Sequence, residues 1–335
     1  MKLLILGGTR FLGRHVAEQA LARGDDVTLL HRGRSGPQLF PRAEHLIADR
    51  DADLSALQGR RWDAAIDTSA YFPRQVRAVA AALAGHIGQY QLVSSISVYA
   101  DHPGDGNHED SPRAVLDDPA VQVVDGATYG GLKALCEDAA VAGFGAAHAL
   151  IVRPGLIVGP FDPTGRFTWW VQRLQRGGEV LAPGDPSAPV QFIDARDLAA
   201  WMLLQTTSAA TGAITPRGGA FNLNGPVAPL TMGGFLEATR AALSPQAHLR
   251  WIDEATLLAA GAKPWSDLPV WLSTPDHGMH RTQIGRAVAT GLVTRAVADT
   301  VRETAAWLEH AEPVAAGRPA VGLPLEREAE LLGRG

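Results

Sequence analysis

The run Leu3-Leu4-Ile5-Leu6-Gly7-Gly8-Thr9-Arg10-Phe11-Leu12-Gly13 constrains this chain more than any other part of it. Four apolar residues followed at once by a glycine-rich turn read as a buried first strand that turns sharply into a helix. A strand–turn–helix unit of this kind opens a parallel sheet, because a parallel neighbour needs a crossover on the sheet's face. Gly7 permits the tight turn, and Gly13 permits close packing of helix on strand. The unpaired N–H groups at the helix start, aided by the helix dipole, suit a pyrophosphate. The apolar run is too short for a membrane span or a signal core, so no membrane association is expected.

The pattern set by that unit continues. Short apolar runs at 27–30, 45–48, 64–67, 90–94 and 149–152 predict further strands. Helical stretches at 11–23, with Leu12, Val16 and Ala20 on one face, and at 74–84 alternate with them, ended by Gly24 and Gly85. The expected class is α/β, a doubly wound parallel Rossmann-type sheet with a smaller C-terminal lobe. Residues 1–160 are expected to bind NADP and carry the catalytic groups. Residues 161–335 are expected to bind substrate, with 190–225 returning to the first domain; 190–192 and 220–223 read as short strands. Six of the eight tryptophans fall between Trp169 and Trp271. The stretch 101–125, rich in Asp, Pro and Gly, reads as a long loop beside the site. A helix is expected at 299–309, a Pro/Gly/Ala-rich tail at 312–324, and a last helical turn or two at 326–332.

The composition narrows the setting. The 335 residues, 46% of them hydrophobic, suffice for one large α/β domain with an appended lobe. A net charge of −5 argues against a nucleic-acid or anionic-lipid surface. One cysteine, Cys136, excludes an intrachain disulfide and suits a reducing cytoplasm.

Strand two ends in His31-Arg32-Gly33-Arg34. NAD sites usually place an Asp or Glu here to bond the ribose hydroxyls, and this chain has none. Arg10, Arg32 and Arg34 are instead placed to clamp a 2′-phosphate by charge-assisted bonds. NADP(H) is therefore expected over NAD(H). Thr9, Phe11 and Leu12 of the turn, and His31, join the expected cofactor residues. Asp49, after strand three, either accepts from the adenine amino group or caps the strand end.

Tyr129 and Lys133 stand four residues apart, so they share one face of a helix. A free tyrosine titrates near pH ~10, and a nearby ammonium lowers that value. Tyr129 can then exchange a proton with a carbonyl or hydroxyl oxygen, while Lys133 also holds the nicotinamide ribose. Ser95 ends strand five at the sheet's carboxyl edge and can orient the same oxygen.

Taken together these residues resemble the short-chain dehydrogenase/reductase superfamily, in its extended or atypical branch of epimerase/dehydratase-like enzymes. The resemblance runs through the glycine turn, Val93-Ser94-Ser95-Ile96-Ser97-Val98-Tyr99, Tyr129-Gly130-Gly131-Leu132-Lys133, Arg153-Pro154-Gly155-Leu156-Ile157-Val158-Gly159-Pro160 and Phe192-Ile193-Asp194-Ala195-Arg196-Asp197-Leu198. It implies a seven-stranded sheet, the triad Ser95, Tyr129 and Lys133, and cofactor contacts from Thr68, Ser69, Ala70 and Pro154. It also implies that an arginine at Arg10 meets a 2′-phosphate, and that relatives pair through the helices flanking strands four and five. A monomer or homodimer acting on a small molecule is the expectation.

The chain departs from the resemblance in two places. Ile96 and Ser97 stand where sugar-nucleotide dehydratases carry an Asp-Glu pair. Pro154-Gly155-Leu156 replaces a segment in which many epimerases place an asparagine. The expected activity is therefore NADP(H)-dependent hydride transfer to or from a carbonyl or imine carbon. Two alternatives stand beside it: an epimerase with bound NAD(P), and an RNA-binding protein of the chloroplast stem-loop type. The acidic balance and the Tyr/Lys pair argue against RNA. Tyr71, Ile96 and Trp170 are candidate substrate contacts; Trp169, Trp265 and Trp271 could line the same pocket or pack the lobe's core. Tyr99 is expected to pack behind the serine. His277 and His280 lack a third ligand, so no metal is expected.

Overall fold

A computed structural model describes residues 1–211, 218–311 and 321–333. Most of the 312–324 tail lies outside the described residues. The first half alternates β1 (Lys2–Leu6), α1 (Phe11–Arg23), β2 (Asp26–His31), β3 (Glu44–Ile47), β4 (Trp62–Asp67), α2 (Pro73–Leu83), β5 (Ile87–Val93), α3 (Tyr129–Phe144) and β6 (Ala149–Pro154). Then follow β7 (Ile157–Val158), α4 (Arg166–Gln175), β8 (Glu179–Pro183), β9 (Pro189–Val190), β10 (Ile193–Asp194), α5 (Ala195–Thr211) and β11 (Gly219–Leu223). The chain continues through β12 (Leu230–Thr231), α6 (Met232–Leu243), β13 (His248–Ile252), α7 (Glu254–Ala259), α8 (Gly285–Ala289), α9 (Val297–Leu308) and α10 (Leu325–Leu332).

Seven strands form one parallel sheet in the order β11-β6-β5-β4-β1-β2-β3. This is the doubly wound Rossmann-type sheet that the strand–helix alternation predicts. Its logic is visible in β1. Leu3 and Ile5 pack under α1 and α5, while Leu4 and Leu6 face the cluster shared with α2 and α3. Both faces are covered, so the strand reads as an unbroken apolar run. Each of those side chains is fully buried, a contribution of about 1.5–3 kcal/mol apiece. The chain order reverses between β1 and β4, which opens a crevice at their carboxyl ends.

The second half builds a lobe with its own core of Phe167, Trp170, Phe235 and Trp271. Two-stranded pieces frame it: β8 with β13, and β9 with β12. The expected strand 190–192 is two separate bridges, because β9 pairs with β12 and β10 with β7. β11, by contrast, lies beside β6 in the main sheet, with Leu223 opposite Pro154. Stretch 101–125 has no helix and only an isolated bridge, Tyr99 with Arg113. Among the described residues, no helix is long and apolar enough to cross a membrane.

Candidate active site

The glycine turn sits at the crevice. Gly7 has φ +116°, and a Cβ there would lie 2.4 Å from Thr68 Oγ1; one on Gly13 would lie 2.6 Å from Gly8 N. The turn is therefore pressed against the β4 loop and its own helix. Arg10 is the N-cap of α1 and supplies no side-chain cap, and no acidic residue stands in the first turn. The free N–H groups and positive helix end are left for an anion, which fits a dinucleotide pyrophosphate.

At the end of β2, Arg32 and Arg34 are exposed, as is Arg10. None of the three has an ion-pair or side-chain hydrogen-bond partner among the described residues. His31 is differently placed. Gly33 N–H donates to its Nδ1 at 3.0 Å, which leaves Nε2 to donate to His45 Nδ1 at 2.8 Å. Burial lowers its pKa, and the neighbouring His45 adds to the effect. Both ring nitrogens thus serve the turn, and His31 shapes the arginine-bearing loop instead of offering a free donor. Asp49 accepts from Asp51 N–H at 3.1 Å, a turn-capping bond.

The β4 loop carries a buried network that the sequence reading missed. Arg50 Nη1 donates to Asp67 at 2.8 Å, Tyr90 O–H donates to the same oxygen at 2.7 Å, and Arg50 Nη2 reaches Ser69 at 3.0 Å. Burial pushes Asp67 up, but the Arg50 guanidinium and these bonds hold its carboxyl below the usual range. The legible signal was an acid ending the apolar run Ala64-Ala65-Ile66-Asp67. Thr68 Oγ1 donates to Leu6 O at 3.0 Å, tying this loop to β1.

The catalytic candidates converge from β5 and α3. Ser95 caps a short turn, Ile96–Val98, its hydroxyl accepting from Ser97 N–H at 3.1 Å. α3 starts against this turn, and a Cβ on Gly130 would lie 2.1 Å from Ser97 O. Only glycine allows that approach, which brings the Tyr129 side chain close enough to Ser95 for the serine hydroxyl to influence the phenol. Lys133 is buried; its ammonium donates to Ala70 O at 2.8 Å and Val93 O at 2.6 Å. An ammonium has three donors, so one is spare. The ring of Tyr71 lies 6.4 Å from that of Tyr129 and 5.7 Å from the Lys133 ammonium.

One electrostatic expectation needs correction. Lys133 was expected to draw the Tyr129 pKa down, yet the tyrosine is shifted up. Burial is the largest cause and Tyr71 adds to it, while the neighbouring Ser95 hydroxyl opposes. The lysine is itself lowered by burial, and its charge is held by two main-chain carbonyls.

Behind the serine lies a second buried network. Glu137 accepts from Ser94 Oγ at 2.6 Å and from Arg153 Nε and Nη2 at 2.9 and 2.7 Å. Arg153 reaches the Tyr99 hydroxyl at 3.2 Å, which donates to Asn222 at 2.6 Å. Tyr99 therefore packs where it was expected. The network locks α3 to β6, so Tyr129 and Pro154 keep a fixed relation.

Other candidates move. Trp170 is fully buried in the lobe core and donates to Pro269 O, so it presents no face to a substrate; Trp271 is likewise buried. Ile96 is 6% exposed and packs with Val98, Tyr99 and Ala134, which leaves it little surface to offer. Trp169 and Trp265 are half-buried. His280 accepts from Gln191 N–H at 3.1 Å and faces Val270 O at 2.8 Å; His277 faces Leu272 O at 3.2 Å. Both histidines are engaged by main-chain groups. Among the described residues no group of three or more His, Cys, Asp or Glu could hold a metal ion.

Comparison with solved structures finds the same architecture. UDP-glucuronic acid 4-epimerase from Bacillus cereus, in complex with NAD, superposes with TM-score 0.64 at 14% identity, covering 92% of this chain and 99% of that one. UDP-N-acetylglucosamine 4-epimerase from Bacillus cereus gives 0.65 at 17%, covering 94% and 99%. The Bordetella bronchiseptica enzyme WbmH, in complex with NAD+, gives 0.62 at 18%, covering 94% and 99%. Identities this low establish the fold alone. No curated protein matches the chain. The pattern of one family spans residues 3–223, from β1 through the last strand of the main sheet, and so takes in the glycine turn, Ser95, Tyr129, Lys133 and Pro154. By that match over more than half its length, the chain belongs to the NAD dependent epimerase/dehydratase family.

Proposed function

We propose that this chain passes a hydride between a bound nicotinamide nucleotide and a small-molecule carbon bearing a hydroxyl or carbonyl oxygen. One observation carries the reading. The uncapped start of α1 and the Lys133 ammonium are tied to one sheet edge through the β4 loop and the end of β5, and Tyr129 lies one turn from that lysine beside Ser95. The bound nucleotide supplies or accepts the hydride. Tyr129 gives the proton to the substrate oxygen or takes it away, and Ser95 donates to that same oxygen. The spare donor of Lys133 holds the nicotinamide ribose. Gly7, Thr9, Phe11, Leu12 and Gly13 cradle the pyrophosphate, and Asp49 meets the adenine. Thr68, Ser69, Ala70 and Pro154 border the ribose and nicotinamide. Tyr71 walls the substrate beside Tyr129. In this reading residues 1–160 bind cofactor and catalyse, and the lobe from 161 onward selects substrate.

The family match supports epimerisation first: one carbon is oxidised and then reduced from the other face, with no net use of nucleotide. The similar epimerases named for UDP-sugars make sugar nucleotides the first substrates to try. A second reading, net NADP(H)-linked reduction, is favoured by the three unpartnered arginines Arg10, Arg32 and Arg34. The deciding experiment incubates the protein with NAD+ or NADPH and with pools of UDP-sugars, ketones and imines. Nucleotide absorbance is followed alongside product NMR. Isomerised sugar with constant nucleotide absorbance supports epimerisation, and NADPH lost in step with product supports reduction. No nucleotide binding and no turnover in any pool would overturn both.

A further inference from the structure

Arg166, in the first turn of α4, is a cation in a costly place. It is half-buried, and burial is the main influence on it, lowering its pKa. It also sits at the positive end of a helix, where a cation is disfavoured. Its nearest carboxylate is buried Asp162, whose two oxygens already accept from Thr164 N–H at 2.7 Å and Thr164 Oγ1 at 3.0 Å. Among the described residues the Arg166 side chain has no ion pair and no hydrogen bond. What holds it is the ring of Trp265, 5.1 Å from the guanidinium carbon. That stacking leaves the five N–H donors in the guanidinium plane without an acceptor among the described residues.

Trp265 is itself held under strain. Its φ is +65°, a region bulky side chains rarely enter. The surrounding loop enforces it: Trp265 N–H donates to Trp271 O at 3.0 Å, and Lys263 O accepts from Asp267 N–H at 3.0 Å. Such enforced strain in a half-exposed aromatic points to use.

The pair is linked to the sheet edge through a relay of contacts. Trp265 packs against His280, with ring centroids 6.2 Å apart. His280 bonds Gln191 N–H, and the Gln191 side chain accepts from Asn224 at 3.0 Å. Asn224 in turn crowds Gly155, the residue after Pro154. On the other side, Arg281 donates to Gly104 O at 2.7 Å in the loop that follows Ser95 and Tyr99.

We propose that Arg166, backed by Trp265, binds an oxyanion of the substrate, a carboxylate or a phosphate, at the end remote from the reacting carbon. This rests on the reading above only in taking the cleft between lobe and sheet edge as the substrate site. A planar guanidinium fixed by an aromatic ring matches such a group with two parallel bonds and fixes its distance from Tyr129.

The test is equilibrium binding, independent of turnover. Benzoate, phenyl phosphate and the neutral isostere benzamide are titrated calorimetrically into the full chain with NADP+ present. Wild type should bind at least one anion about tenfold or more tighter than benzamide. The anion preferred tells carboxylate from phosphate. Arg166→Gln should erase the preference, and Arg166→Lys should keep part of it, with circular dichroism reporting the fold of both. Equal affinity for all three ligands, binding by none, or a preference that survives Arg166→Gln overturns the proposal. NADP+ titrated alone provides a separate measurement. Its failure to bind would sink the NADP(H) reading, and failure of NAD+ as well the cofactor reading, while an Arg166-dependent anion preference would still stand.

Discussion

At the scale of single residues, the proposed reaction turns on Tyr129. Its hydroxyl lies within the influence of Ser95, while Lys133 is bound to carbonyls on two different segments. Replacing Tyr129 with Phe should cut turnover by about a hundredfold to ten-thousandfold. Nucleotide affinity, measured by fluorescence titration, should stay within a factor of about three of wild type, because the ring and Lys133 remain. An equal loss of binding would assign the tyrosine to the cofactor instead. His280 makes a second residue-scale prediction. Burial lowers its pKa from 6.5 to about 4. Its neutral form is therefore favoured by folding. That stability is complete above pH 6.5 and is lost as pH falls toward about 4. The gap corresponds to about 3 kcal/mol at most. His15 and His31 are shifted the same way, so His280→Gln should flatten only part of the acid slope in urea denaturation. An unchanged slope would show that His280 does not titrate in this window.

Between elements, the buried Glu137–Arg153 pair joins α3 to β6 and so fixes the catalytic helix against the strand that ends in Pro154. Glu137→Ala leaves the Arg153 charge uncompensated and should cost about 3–5 kcal/mol in chemical denaturation. A loss below about 1 kcal/mol would mean that water or Asp138 replaces the carboxylate. The inner strands of the main sheet were legible because they are covered on both faces and read as apolar runs, as in Leu3–Leu6 before Gly7 and Ala64–Ile66 before Asp67. α3 was legible from the Tyr129–Lys133 spacing. β8 and β13 were not, because His248–Ile252 is a strand only by pairing with Glu179–Pro183, far away in sequence. The same holds for β9 and β10, where a two-residue bridge has no period to read.

Across the whole molecule, the cofactor end is built from two separate segments, the start of α1 and the end of β2. Arg10 on the first segment and Arg32 and Arg34 after the second are exposed cations without side-chain partners among the described residues. If they clamp a 2′-phosphate, Arg32→Ala should weaken NADPH about tenfold or more and NADH little, with the NADPH effect shrinking at high salt. Equal loss for both nucleotides would remove the clamp and leave NAD as the natural cofactor.

The sequence by itself determined the sheet, the glycine turn and the candidate serine–tyrosine–lysine set, because each rests on a local pattern: unbroken apolar runs, a four-residue helical spacing and a turn that only glycine can make. Tertiary structure alone decided the charge states and the lobe. Burial reversed the expected shift of Tyr129, moved Trp170 from cleft to core, and left Arg166 beside Trp265 with no ion pair among the described residues. Burial and long-range pairing depend on what the rest of the chain brings alongside, and no local pattern records that.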